Sequence, residues 1–263
     1  MNQALKTFPL IRNITYGPIP TRRLGLSLGI NILPHGRKAC SFDCPYCQLG
    51  ARKVVEKADR SGLPTPQQVQ RAVLADLTWM RRVNIRPDTI TFSGNGEPTL
   101  HPRFREIVEA IREALSSEGV AIPIAVLSNA AHLDRPDVVD ALSSIEFPIL
   151  KLDAGNEAMF QAIDRPRTGL TLEDVVRGIR KVPNAILQSM FVTGVVDNST
   201  EREVEDWTDR VKEISPRKVQ IYTLDRVPAD PGVKPVSRRR LVWISGRLGL
   251  RTGIVADLFF PKE

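Results

Sequence analysis

Three cysteines, Cys40, Cys44 and Cys47, stand inside the eight-residue run CSFDCPYC, and the 263-residue chain has no others. Random placement of three cysteines would give this spacing about once in ten thousand. An odd number, with no apolar leader in the first thirty residues, argues against a secreted disulfide framework and for a cytoplasmic protein. Buried structural thiols are a poor fit, because Asp43, Pro45 and Gln48 interleave with them without apolar periodicity. A metal is the remaining reason to gather thiols. A structural zinc site needs four protein ligands, and His35 is the available fourth donor, giving a zinc-dependent nucleic-acid-binding module. A [4Fe–4S] cluster is normally held by four cysteines, so here one iron would stay open, as the open position of a catalytic metal does. Both readings stand on spacing alone.

Alternating patterns must position these thiols. Leu24–Leu33 alternates apolar with small or polar residues and reads as a strand; the stretch from Pro34 to Pro64 then carries the cysteines and the basic run Arg52–Lys57. Loops of this length are uncommon in compact domains unless they serve a site. Thr65-Pro66 marks a helix start, followed by Val69, Val73, Leu77 and Met80 on one face. Further strands are expected at Asp88–Phe92, Ile122–Leu127, Phe147–Leu152, Ala185–Val192 and Lys218–Leu224. Helices are expected after Phe104, at Asp137–Leu142, Glu157–Ile163, Thr171–Arg180, Thr200–Ile214 and Arg238–Leu248, with a last extended segment at Gly253–Phe260.

Six strand–helix units in order predict an α/β fold with a parallel sheet, a partial (β/α)6 barrel. No composition break divides the chain, so a single domain over 1–263 is expected, with a core of about 25–225, an N-terminal extension of about twenty residues and a C-terminal helix. Reactive groups of such barrels gather at the C-terminal strand ends. The unusual residues fall there: the cysteine loop, Gly94–Pro98, Ser128-Asn129 and Asp153.

The spacing Cys40-x3-Cys44-x2-Cys47, with Tyr46 before the third cysteine, resembles the signature of the radical S-adenosylmethionine (SAM) superfamily. The segment SGNGEP, residues 93–98, is similar to that superfamily's Gly-Gly-Glu motif. YGPIPTRRLGLSLGIN, CPYCQLG and QIYTLD resemble a subgroup related to wyosine-synthesis and NifB-like Fe–S oxidoreductases. The resemblance implies a radical SAM core in which Cys40, Cys44 and Cys47 hold three irons of a [4Fe–4S] cluster and the fourth binds SAM. Reductive cleavage would give a 5′-deoxyadenosyl radical that takes hydrogen from a substrate, with a flavodoxin- or ferredoxin-type electron donor. It also implies that Gly94, Asn95, Gly96 and Glu97 cradle the methionine ammonium and that Tyr46 lies near the adenine. Ser128, Asn129, Lys151, Asp153 and Gln188 stand where ribose, carboxylate or substrate contacts are expected. The absence of further cysteines removes an auxiliary cluster, leaving a one-cluster enzyme.

Net charge is +7, from 37 basic and 30 acidic residues, which suits an anionic substrate such as a nucleotide or RNA. Arg22-Arg23, Arg52-Lys53, Arg81-Arg82, Arg165/Arg167 and Arg238–Arg240 are basic clusters that read mainly as solvated surface, although those in strand-end loops could grip phosphates. His101 and His132 read as surface or capping residues. No apolar run is long enough to suggest a membrane span.

Overall fold

The computed structural model describes residues 9–51, 55 and 62–261. The first half carries β1 (Thr15–Thr21), β2 (Gly25–Ile30), α1 (Pro66–Arg82), β3 (Thr89–Phe92), α2 (Phe104–Ser117), β4 (Ile124–Ser128) and α3 (Pro136–Ser143). Then follow β5 (Phe147–Lys151), α4 (Glu157–Ile163), α5 (Leu172–Ile179), β6 (Ile186–Met190), β7 (Val192–Gly194), α6 (Glu201–Ile214), β8 (Lys218–Tyr222), β9 (Val233–Pro235), α7 (Arg238–Thr252) and β10 (Asp257–Phe259). The basic run at 52–57 lies outside the described residues, Val55 excepted.

The six expected strands pair in parallel and in chain order, β2-β3-β4-β5-β6-β8. Crossovers between neighbouring parallel strands are right-handed, so this order sends every helix to the same face of the sheet. Covered on one side only, the sheet curls around its other face as a partial barrel. Two edge strands extend the expected six. β10 joins β8 in parallel, and β1 joins β2 antiparallel. The end of the expected N-terminal extension, Thr15–Thr21, is therefore a strand; its prolines at 18 and 20 obscure it in sequence and are tolerated because it lies at the edge.

Each strand divides its side chains between two environments. Leu28, Ile30, Ile90, Phe92, Val126, Leu150, Leu187, Val219 and Ile221 turn to the helices and join the main core. α1 meets them with Val69, Val73, Leu77 and Met80 after a capping box between Thr65 and Gln68. Each such side chain, fully buried, contributes about 1.5–3 kcal/mol. The other face mixes polar and apolar side chains. Ser27 and Thr91 share a 2.6 Å hydrogen bond, and Gln188 Nε2 donates to Gln220 Oε1 at 3.0 Å.

The turn between β1 and β2 reaches the opposite border of the sheet. Arg22 Nη2 pairs with Asp225 at 2.9 Å, and Arg22 Nη1 donates to the carbonyl of Phe260. Both histidines expected in surface or capping roles are buried, and His101 stands at a helix start. His101 Nε2 donates to the Pro64 carbonyl at 3.1 Å, and its Nδ1 accepts from Arg103 N–H at 3.1 Å, which ties the start of α1 to that of α2. No helix among the described residues is long and apolar enough to cross a membrane.

Candidate functional site

The cysteine loop leaves the C-terminal end of β2 and is fastened by backbone bonds to two neighbouring loops. Ala39 N–H donates to Asn95 O at 2.8 Å and Glu97 N–H to Ala39 O at 3.0 Å, an isolated parallel bridge beside Cys40. Arg167 N–H donates to Ser41 O at 2.9 Å and Asp43 N–H to Arg165 O at 3.1 Å, which fixes the loop to the segment after α4. Asp230 N–H donates to Pro45 O at 2.8 Å. The segment is thus held on three sides without a helix or strand of its own.

The two glycines of the SGNGEP turn are required by this docking. A Cβ on Gly96 (φ +141) would lie 1.7 Å from Ala39 O, and one on Gly94 (φ +119) would lie 2.8 Å from Asn31 Oδ1. Asn95, between them, points away from the cysteines. Its amide Nδ2 donates to Ile11 O at 2.8 Å and Pro34 O at 3.0 Å, and its Oδ1 accepts from Ile11 N–H at 2.8 Å. Its backbone N–H donates to Asn31 Oδ1 at 3.2 Å. Asn95 therefore braces the turn from behind.

Glu97 is buried, and its carboxylate accepts four hydrogen bonds. Oε1 accepts from Thr99 N–H (3.0 Å), Thr99 Oγ1 (2.7 Å) and Ser128 Oγ (2.8 Å), while Oε2 accepts from Asn129 N–H (2.6 Å). Burial raises its pKa, and these hydrogen bonds oppose the rise. Glu97 joins the end of β3 to the end of β4, and the tie continues to the thiols. Asn129 Nδ2 donates to Ser41 Oγ at 3.0 Å and approaches Cys40 Sγ at 3.6 Å.

A second network reaches Cys44. The Tyr46 hydroxyl donates to Asp153 Oδ2, Lys151 Nζ bridges Asp153 and Asp164, and Cys44 Sγ contacts Asp164 O at 3.6 Å. Lys151 Nζ also lies 5.0 Å from the centre of the Tyr46 ring. Asp153 Oδ1 accepts from Met190 N–H at 2.8 Å, so this strand-end carboxylate ties β5 to β6. Burial would lower the Lys151 pKa, but Asp153 and Asp164 outweigh it and hold the ammonium charged. Burial raises the Tyr46 hydroxyl well above its usual range, and Asp153 adds to the effect.

The thiols lie within electrostatic reach of one another. Burial pushes Cys40 up to about 12, with Glu97 reinforcing it, and burial likewise raises Cys44. Lys38, whose side chain is 2% exposed, stands by them: Nζ donates to Gly50 O at 2.9 Å and lies 3.4 Å from Asp43 Oδ1. Burial opposes its charge, yet the thiols and Asp43 raise its pKa.

His35 lies apart, exposed in the turn at 34–36. Among the described residues no three His, Cys, Asp or Glu side chains converge on a single ion position. The exposed position of His35 sets it apart from the largely enclosed thiols. A cubane makes a different demand, since each thiolate takes its own iron, and a donor set of three loop thiols fits it. Sequence reasoning brought Cys40, Cys44, Cys47, Tyr46, Glu97, Ser128, Asn129 and Asp153 to one mouth. It missed Asp164, Lys38 and Ser41. Asp164 opens the polar link DRPRTG between two helical stretches, its only sequence signal.

The family model described as the Radical SAM superfamily matches residues 37–211. UPF0026 protein MJ1312 of Methanocaldococcus jannaschii is 30% identical over 226 residues, which cover 84% of this chain and 67% of that protein. UPF0026 protein slr1464 of Synechocystis sp. is 31% identical over 217 residues, 82% of this chain and 75% of its own. A radical SAM methyltransferase from Sphaerobacter thermophilus has a similar fold, with a TM-score of 0.62 at 16% identity over 90% of this chain and 67% of its own. TYW1 with a lysine-pyruvate adduct bound gives 0.61 at 14% identity over 86% of this chain and 74% of its own.

Proposed function

The chain belongs to the radical SAM superfamily, and on that premise we propose a one-cluster enzyme in which Cys40, Cys44 and Cys47 hold a [4Fe–4S] cluster and SAM completes the fourth iron. The observation that carries this reading is the double fastening of the cysteine loop: Asn129 beside Cys40, itself fixed by Glu97, and Asp164 beside Cys44, itself fixed by Lys151. When bound and reduced, the cluster and SAM supply a 5′-deoxyadenosyl radical able to take a hydrogen atom from a substrate.

The chain's part is ligation, placement and exclusion of water. Gly94 and Gly96 bring bare backbone to the strand end, where the methionine end of SAM would lie. Asn95 and Glu97 hold that backbone from behind. Tyr46, Ser128, Asn129 and Asp153 line the adjoining strand ends and complete the candidate cofactor contacts. With only three cysteines in the chain, all of them serve this one cluster. A flavodoxin- or ferredoxin-type protein would deliver the electron. The substrate class we assign is anionic, a nucleotide or RNA, in keeping with the net charge of +7.

Anaerobic reconstitution with iron and sulfide tests this reading. The expected result is a brown protein with about four irons per chain. It should release 5′-deoxyadenosine from SAM on reduction and lose both properties on Cys44→Ala. A protein that takes up one zinc, stays colourless and loses the metal on His35→Ala would overturn it. Bulk tRNA should bind at low salt and dissociate as salt rises; no binding at low salt removes the RNA substrate.

A further inference from the structure

The barrel contains a guanidinium with unused hydrogen-bond donors. At the end of the strands opposite the cysteines a cavity of about 420 Å³ opens, lined by the first residues of several strands, among them Thr89, Phe147 and Ile186, and by Arg23 from the β1–β2 turn. Arg23 Nε and Nη2 are buried and have no hydrogen-bond partner. Of the neighbouring carboxylates, Asp225 lies within electrostatic reach of Arg23, but neither it nor Asp88 accepts from these buried donors. Asp225 pairs with Arg22, and Asp88 accepts from Leu26 N–H at 2.7 Å. A buried guanidinium with unused donors is costly unless something satisfies it.

The guanidinium is nonetheless held firmly. Its centre lies 4.2 Å from the Tyr222 ring centre and 4.7 Å from that of Phe259. Two aromatic faces offset part of its desolvation and fix its plane, but neither satisfies an N–H. Adjacent donors on one edge of a planar guanidinium match two oxygens of a carboxylate or phosphate. Arg217, Lys218 and Gln220 also line the cavity, and Lys218 is already paired with Asp257 at 2.5 Å. Tyr222 links the two ends of the barrel, for its hydroxyl also lies within electrostatic reach of Asp153, Lys151 and Cys44.

We propose that Arg23 is an anion anchor: it holds the carboxylate or phosphate group of a molecule lodged in the barrel, with Tyr222 and Phe259 fixing the plane in which that group binds. As the specificity-determining residue for an anionic substrate it deepens the function proposed above. The cation and the cavity belong to the chain itself, so this site stands whether or not the cysteines hold iron.

The test reads binding directly on the full chain, by calorimetry at low chloride, with inorganic phosphate in one arm and succinate in the other. Saturable binding of one of them is expected, and the preferred arm names the oxygen chemistry. Arg23→Gln and Arg23→Lys should each weaken that binding about tenfold or more, since neither presents the guanidinium fork. Arg103→Gln, on an exposed ion pair with Glu106, should leave it unchanged. Because either Arg23 variant could fail to fold, the wild-type protein is also treated with phenylglyoxal. The bound anion should slow modification of Arg23 while leaving that of Arg103 unaltered. Binding in neither arm, equal binding by the variants, or no protection of Arg23 would each overturn the assignment.

Discussion

Gly96 lies against the carbonyl of Ala39, close enough that a methyl group in place of its hydrogen would sit 1.7 Å from the oxygen. The contact is backbone to backbone, so no flexible side chain can move aside. It is also the bridge that seats the cysteine loop on the end of β3.

Gly96→Ala is therefore expected to destabilise the protein by about 3 kcal/mol and to depress iron uptake on reconstitution. Gly36→Ala is the comparator. That glycine also has positive φ (+69), but nothing lies within 4 Å of a Cβ there, and its cost should be about 1 kcal/mol. Urea unfolding and iron content per chain read both effects.

Glu97→Gln keeps the shape of the side chain and removes its negative charge. One of the four donors that met a carboxylate oxygen would then face an amide N–H instead. A loss of about 2–3 kcal/mol is expected in urea unfolding. Ser128→Ala, which removes a single donor to Oε1, should cost only about 1 kcal/mol.

Lys151→Met leaves Asp153 and Asp164 buried without their shared cation. A loss of about 3–5 kcal/mol is expected, as for other buried pairs broken from one side. The double variant Lys151→Met with Asp164→Asn should recover part of that loss, because it removes one of the stranded charges. Lack of any recovery would show that Lys151 acts through packing on the Tyr46 ring instead.

Acid should weaken the fold through its buried histidines. Burial lowers His101 from 6.5 to about 4, and lowers His132 likewise. The unfolded chain then binds protons that the folded chain refuses. The stability contributed by each neutral ring is complete above 6.5 and is lost as pH falls towards 4, about 3 kcal/mol apiece by pH 4. Asp164 slopes the other way, since burial raises its pKa. The contribution of His101 is therefore isolated by comparing wild type with His101→Gln. Their stability difference should shrink as pH falls from 7 to 4, and a constant difference would contradict the assignment.

Most of what places the site was visible in local pattern. Val69, Val73, Leu77 and Met80 announce α1 through their spacing, and Thr65-Pro66 announces its start. The cysteines and SGNGEP stand out because residue types that bind metals or allow sharp turns are concentrated at strand ends. The roles that escaped notice are those that depend on distant partners. Asn95 reads as part of the cofactor cradle, yet its amide serves Ile11, 84 positions away. Asp164 reads as a link residue, yet it meets a thiol 120 positions earlier. Arg23 reads as half of a solvated pair with Arg22. Only the curl of the sheet separates them, sending one to Asp225 and the other between two aromatic rings.

The latch made by Arg22 has a bearing on how the chain is born. Its partners, Asp225 and the carbonyl of Phe260, are synthesised 203 and 238 positions later. During translation the first hairpin emerges long before the strand that will complete the opposite border. Until each later strand has left the ribosome, the strand before it presents an edge that the folded sheet covers. The nascent chain, more than the finished protein, is thus the form most prone to pair with its neighbours, and the one that would profit from a chaperone.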